Sequence, residues 1–217
     1  STSAGVTRHD GVEARSWGLA EGLPEASVRG VVEDREGHPW FITGGGLLQL
    51  RDGQLTRVTR EGARCGLRTR SGELYFGTES GLLQAGGPTW GAEAGLAAPI
   101  WKIVEEPDGK GLVVGTRGAG LQRFDGRRFE RLGPPGTPPN VFDLAWDGQG
   151  TLWIAADGGL AALRQGQLRV FTRREGLRSE RVTSVAIDRQ GRVLAGTFGG
   201  GLARLDGDRV AGLDHRQ

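Results

Sequence analysis

Apolar residues along this chain fall in short alternating runs, and the runs recur in register between glycine-rich turns. Five segments read alike: HPWFITGGGL from His38, ELYFGTESGL from Glu73, LVVGTRGAGL from Leu112, TLWIAADGGL from Thr151 and RVLAGTFGGGL from Arg192. Their alignment places Thr43, Thr78, Thr116, Ala156 and Thr197 at one position, at spacings of 35, 38, 40 and 41 residues. Strict alternation predicts strands. An all-strand repeat of about forty residues is the period of a propeller blade.

Each unit predicts four strands. The first is apolar and alternating, as in VRGVVED from Val28, IWKIVEE from Ile100, VFDLAWD from Val141 and VTSVAID from Val182. Polar turns follow (DREG, PDGK, DGQG and DRQG), which are strong hairpin signals between alternating strands. The repeated segment is the second strand, and a second hairpin supplies the third and fourth. Gly-Leu links at Gly22, Gly95 and Gly176 lead to the next unit. The units run over residues 22–62, 63–94, 95–133, 134–175 and 176–217.

The count is uneven. The second hairpin turn occurs six times, near Asp10, Asp52, Gly86, Asp125, Gln165 and Asp206, but the first two strands occur five times. Residues 1–21 therefore read as a half-blade without inner strands. The expected fold is all-β: a single-domain β-propeller of about five four-stranded antiparallel blades. The half-blade is expected to close the ring, since closure removes a free strand edge. A piece of a larger ring is the alternative. Trp40, Tyr75 and Trp153 share one repeat position and are expected to fill the core between blades.

Composition adds limits. The 217 residues suit one large β domain, and the 40 glycines are periodic, not scattered as in a disordered chain. The single cysteine, Cys65, allows no internal disulfide. It falls in an inner strand and is expected to be a buried, inert thiol. Net charge is +2, lysine occurs only at Lys102 and Lys110, and no run of like charge offers a nucleic-acid tract. No apolar stretch is long enough to insert in a membrane.

The run SWGLAEGLPEASVRGVVEDREGHPWFITGGGLLQL from Ser16 resembles the two-component regulator propeller repeat of bacterial hybrid histidine kinases and diguanylate cyclases. The residues that carry the resemblance are Gly22–Leu23–Pro24, Val28 with Val31, Asp34 with Gly37, Trp40 through Thr43, and Gly46–Leu47. The fourth unit matches through Trp153–Ile154 and Gly158–Gly159–Leu160, whereas the second lacks the Gly-Leu-Pro lead-in. The resemblance implies a periplasmic or otherwise extracytoplasmic sensor that reports to a signalling domain or partner protein. The family often carries two seven-bladed rings. This sequence has fewer repeats and contains no kinase, cyclase or DNA-binding segment.

In a propeller, the inter-blade links and the turns between second and third strands share one face. Register puts Arg29, Arg64, Trp101, Phe142 and Thr183 at the start of the inner strands on that face. Gly44, Glu79, Arg117, Asp157 and Phe198 follow the threonine position, and Lys102 and Asp143 lie one residue further along the inner strands. Unlike the fold positions, these sets do not repeat. Rings beside arginine and carboxylate suit a small polar ligand such as a glycan, a peptide or a planar acid. The competing reading is that these side chains pair with each other and plug the funnel.

No catalytic constellation emerges. His9 and His38 fall at turns on the opposite face and His215 in the tail, so no Ser-His-Asp arrangement forms. No spacing resembles a zinc or calcium site, GGGL lacks the lysine of a phosphate loop, and the adjacent Glu105 and Glu106 point to opposite faces. No cofactor or metal is expected. Two other readings stay open: a lyase-type enzyme like the streptogramin-cleaving propellers, using Glu79 and Arg117, and a scaffold binding protein through its rim.

Overall fold

The computed structural model describes residues 5–9, 11–206 and 209–213; Asp10 and His215 lie outside the described residues. β1 (Val6–His9) and β2 (Ala14–Trp17) form a two-stranded sheet. Five four-stranded antiparallel sheets follow, each built from consecutive strands. The first blade holds β3 (Val28–Glu33), β4 (Pro39–Thr43), β5 (Gly46–Arg51) and β6 (Gln54–Thr59). The second holds β7 (Ala63–Arg68), β8 (Leu74–Thr78), β9 (Leu82–Gln84) and β10 (Thr89–Trp90). The third holds β11 (Ile100–Glu105), β12 (Leu112–Thr116), β13 (Leu121–Phe124) and β14 (Phe129–Arg131). The fourth holds β15 (Val141–Trp146), β16 (Leu152–Ala156), β17 (Gly159–Arg164) and β18 (Gln167–Phe171). The fifth holds β19 (Val182–Ile187), β20 (Val193–Thr197), β21 (Gly201–Asp206) and β22 (Arg209–Leu213). Among the described residues no helix is long and apolar enough to cross a membrane.

Local chemistry explains why the unit repeats. At the first hairpin, Asp34 accepts hydrogen bonds from the Glu36 and His38 amides, from Trp40 Nε1 (3.1 Å) and from Gln49 Nε2 (2.9 Å). Asp147 does the same for the Gln149 and Thr151 amides and Trp153 Nε1 (2.9 Å). One carboxylate thus ties the turn and fixes the indole that packs between blades. Trp40 meets Phe76 of the second blade at 5.5 Å between ring centroids, and Trp153 packs among Val182, Val185 and Val193 of the fifth. Tyr75 lies beside Trp90 at 6.3 Å.

The third strand begins at a glycine for a steric reason. Gly46, Gly81 and Gly159 have φ of 143°, 149° and 135°, and a Cβ there would lie 2.2, 2.0 and 2.3 Å from the carbonyl oxygens of Thr59, Trp90 and Phe171. Only glycine tolerates both the angle and the approach. Gly5 repeats the arrangement, with φ 123° and a Cβ position 2.1 Å from the Trp17 oxygen. By this geometry β1 and β2 are the third and fourth strands of a blade, the half-blade expected from the sequence.

Inner strands pack in succession: β3 on β7, β7 on β11, β11 on β15, and β15 on β19. Leu47, Leu82, Leu121 and Leu160 occupy one repeat position and are sealed by the following blade, each at most 1% exposed. Leu202, the same position in the fifth blade, is 43% exposed. At the other end Val31 is 50% exposed, where its equivalents Ile103, Leu144 and Val185 are buried. Among the described residues no comparable packing joins β19 to β3 or β1. This corrects the expectation of ring closure by the half-blade. β1–β2 is a sheet of its own resting on the first blade through Val6 and Trp17, and the fifth blade has four strands without it. The blades form an open arc.

Gly159→Ala is expected to destabilise the fold by about 2–3 kcal/mol in denaturant titration, the scale of a strained backbone position. Gly148→Ala, where a Cβ meets nothing within 4 Å, is the control and should cost under about 1 kcal/mol. A second expectation concerns acid. Burial alone would raise the carboxyl pKa values of Asp34 and Asp147, but the indole and amide donors outweigh it and hold both below the usual aspartate value. A depressed folded-state pKa stabilises above the unfolded value, about 3.9, and that stability is lost as pH falls through the folded one. Melting temperature should therefore drop on acidification below about pH 4. Asp147→Asn should lower it at pH 7 and flatten that acid slope.

Candidate ligand-binding face

A β-bulge interrupts the inner strand of every blade. Register shifts fall between Val28 and Gly30, Ala63 and Cys65, Ile100 and Lys102, Val141 and Asp143, and Val182 and Ser184. The extra residue is in turn Arg29, Arg64, Trp101, Phe142 and Thr183. A bulge re-aims the side chain it carries, so these side chains gather at one end of the inner strands. Four of them, Arg29, Arg64, Trp101 and Phe142, line a groove of about 500 Å³ together with Lys102 and Asp143.

The gathered residues form a ladder across blades two to five. Trp101 and Phe142 stack at 5.1 Å and 24°. The Arg64 and Arg117 guanidinium groups lie 5.4 and 5.8 Å from the Trp101 ring. Arg181 stands 5.5 Å from Phe142 and 5.1 Å from Phe198, which is itself 66% exposed. Carboxylates flank the ladder: Glu79 Oε1 pairs with Arg64 Nε at 2.6 Å, and Asp157 lies 3.7 Å from Arg181 Nε while accepting from Asn140 Nδ2 at 3.3 Å. Arg117 pairs with no carboxylate among the described residues. Trp101 Nε1 is buried and donates to no protein acceptor among them, so stacking, not a hydrogen bond, holds the indole.

The candidate residues therefore separate into groups. Arg64, Glu79, Trp101, Arg117, Phe142, Asp157 and Phe198 come together in the ladder. Lys102 and Asp143 form an ion pair at 2.7 Å, and Asp143 also accepts the Val185 amide at 3.0 Å, so these two join neighbouring inner strands. Arg29 donates to the Ala63 carbonyl at 3.2 Å and braces the first blade against the second. Sequence reasoning missed Arg181 and Asn140. Both occupy the residue before the inner strand, whose carbonyl accepts the amide following the threonine position: Asp157 N to Asn140 O at 3.3 Å and Phe198 N to Arg181 O at 2.8 Å. Carrying the register one residue further back would have found them.

Other chemistry lies elsewhere. Burial pushes the Cys65 thiol up to about 12, far from a nucleophile's range. Glu106 binds Arg123 through two short contacts, and Glu105 accepts the Arg70 amide across the blade boundary, so the two carboxylates serve different partners. Asp34, Glu36 and His38 lie close enough to hold an ion. The Asp34 carboxylate is already engaged by the four donors above, and the turn around Asp147 repeats three of them without a histidine. His38 sits in the first hairpin turn, at the end of the blade away from the ladder.

No family model and no curated protein matches the sequence. Solved structures do. The extracellular domain of the hybrid two component system BT3049 from B. thetaiotaomicron matches 90% of the chain at TM-score 0.72 and 21% identity. That of the one component system BT4673 from the same organism matches 84% at 0.70 and 19%. The chain spans 29% and 28% of the length of these two structures. Virginiamycin B lyase from Staphylococcus aureus, solved with quinupristin, matches 94% of the chain and 74% of its own length at TM-score 0.69 and 11% identity. At such identities the shared property is the fold, and the chain is a β-propeller.

Proposed function

We propose that this chain is the sensing part of a bacterial signalling protein, located outside the cytoplasm, and that it binds a small polar ligand, a glycan in the first instance, at the ladder face without transforming it. The observation that carries this reading is the bulge at the second residue of all five inner strands. It delivers five side chains of four kinds (Arg29, Arg64, Trp101, Phe142 and Thr183) toward one face, while positions that set the fold, such as the leucine opening the third strand, recur. An exposed ring such as Phe198 offers an apolar platform to the C–H face of a sugar, and Arg117, Asp157 and Glu79 offer donors and acceptors to its hydroxyls. The likeness to extracellular domains of one and two component systems agrees with this setting, as does the repeat resemblance around Trp40.

The test is a thermal-melt screen of the chain against oligosaccharides, peptides and small acids. A ligand at a hundred times its Kd adds about 2.7 kcal/mol, a rise of roughly 5–10 °C for a chain of this size. The rise should vanish in Trp101→Ala and Arg117→Ala and persist in Arg70→Ala, which lies away from the ladder. A flat screen, or a shift indifferent to the ladder substitutions, would sink the proposal. Product appearing from a bound compound would favour the lyase reading instead.

A further inference from the structure

We infer that the groove between the fourth and fifth blades, beside the first hairpin of the fourth, is a binding site distinct from the ladder, and that it takes a peptide through the primary carboxamide of a glutamine side chain. Two blades built alike at this hairpin differ at one side chain. In the first blade Gln49 stands opposite Trp40, and its amide joins the indole on Asp34 Oδ2 at 2.9 and 3.1 Å. In the fourth blade Ala162 stands opposite Trp153, and Asp147 Oδ2 takes the indole at 2.9 Å. Thr151, at the position of His38, adds its hydroxyl to the carboxylate. Among the described residues no donor reaches Asp147 from the third strand.

The same junction is thinned from the other side. Trp40 is backed by Phe76 and Leu83 of the second blade. In the fifth blade those two positions hold Ala195 and Ala203, which pack in the Trp153 cluster. Two small residues and a missing carboxamide leave a groove of about 520 Å³ that contains Asp147, Trp153 and Ala162. Phe171 and Leu205 give it apolar wall, and the exposed Gln149 and Gln167 also line it. An amide N–H is the group that the fold itself places on this oxygen in the first blade. A carboxylate there would meet the like charge of Asp147, and a cation would sit in a groove that Arg164 also lines. The space exceeds one side chain, and its size is that of a ligand pocket. Gln149 and Gln167 each carry donors and an acceptor, which is what a peptide backbone needs from a wall.

The test titrates the unmodified chain with acetyl-glutamine N-methylamide, with the glutamate analogue and with propionamide, and follows the indole N–H resonances. The glutamine probe should shift Trp153 saturably and leave Trp101 of the ladder unmoved. The glutamate probe should bind about tenfold more weakly or worse, the loss expected for one hydrogen bond to a charged acceptor. Ala162→Gln supplies the carboxamide from within the chain. It should abolish the shift and raise the melting temperature by about 2–4 °C, the effect of one added hydrogen bond in a chain of this size. Ala162→Glu should lower it. Silence at Trp153, an equal response to the two peptide probes, or binding that survives in Ala162→Gln overturns the inference. A response confined to Trp101 assigns the amide to the ladder and overturns it as well. Propionamide binding as tightly as the glutamine probe overturns the peptide as occupant. Should Ala162→Gln fail to fold, the contrast between glutamine and glutamate on the unmodified chain decides alone.

Discussion

Each blade is a sheet with two apolar faces, and neither face is stable until another blade covers it. This constraint governs the molecule. A leucine side chain moved fully from water into such a contact contributes roughly 1.5–3 kcal/mol, and the leucine at the start of the third strand is sealed in this way four times over. Contacts run only between neighbours, so stability is a property of the stack and its weakest points are the two ends. The exposure of Val31 and Leu202 reports that directly. The stack also creates the candidate site. No single blade holds the ladder, and only succession places the ends of β7, β11, β15 and β19 side by side.

Repetition and variation have separate physical roles. The threonine of the second strand closes the turn behind it, its hydroxyl donating to a carbonyl three or four residues on: Thr43 to Gly46 at 2.7 Å, Thr78 to Gly81 at 3.0 Å and Thr116 to Gly120 at 2.8 Å. Ala156 breaks the pattern and leaves the fourth blade to manage with the backbone alone. The bulge residues do not close that turn, although Arg29 and Thr183 each donate to a backbone carbonyl. Because the bulge is a backbone feature, any side chain can occupy it, and arginine, tryptophan, phenylalanine and threonine all do.

The blades, their strand order and the inward residues were legible in the sequence, because a period of two and a period of about forty are both written there. Register alone put Trp101 and Phe142 on one face, and the bulge made that placement hold. What could not be read were contacts between blades. That Asp143 binds Lys102 and the Val185 amide depends on the distance and angle between sheets, which no linear pattern encodes. The same holds for Arg181, whose reach to Phe142 and Phe198 spans two blades. Closure failed as an expectation for a related reason. Counting strands identifies the half-blade, but only the packed arc shows which faces remain uncovered.

The self-pairing of the ladder bears on its capacity to bind. The Arg64–Glu79 and Arg181–Asp157 pairs are substantially exposed, and such pairs contribute about 0–1 kcal/mol net. A ligand that exchanges one for its own hydroxyl or carboxylate loses little. The Trp101–Phe142 stack contributes about 0.5–1.5 kcal/mol beyond its buried area and is anchored at both ends of the pair by packed strands. The ladder thus combines a fixed aromatic platform with ionic groups that can change partners cheaply. Among the described residues Arg117 has no carboxylate to release, so its guanidinium fork presents donors at no such cost, and it lies against the platform itself. Plugged and binding-competent are therefore compatible descriptions of this face. The exposed ion pairs occupy the face, and pairs this weak are ones a better-matched partner can displace.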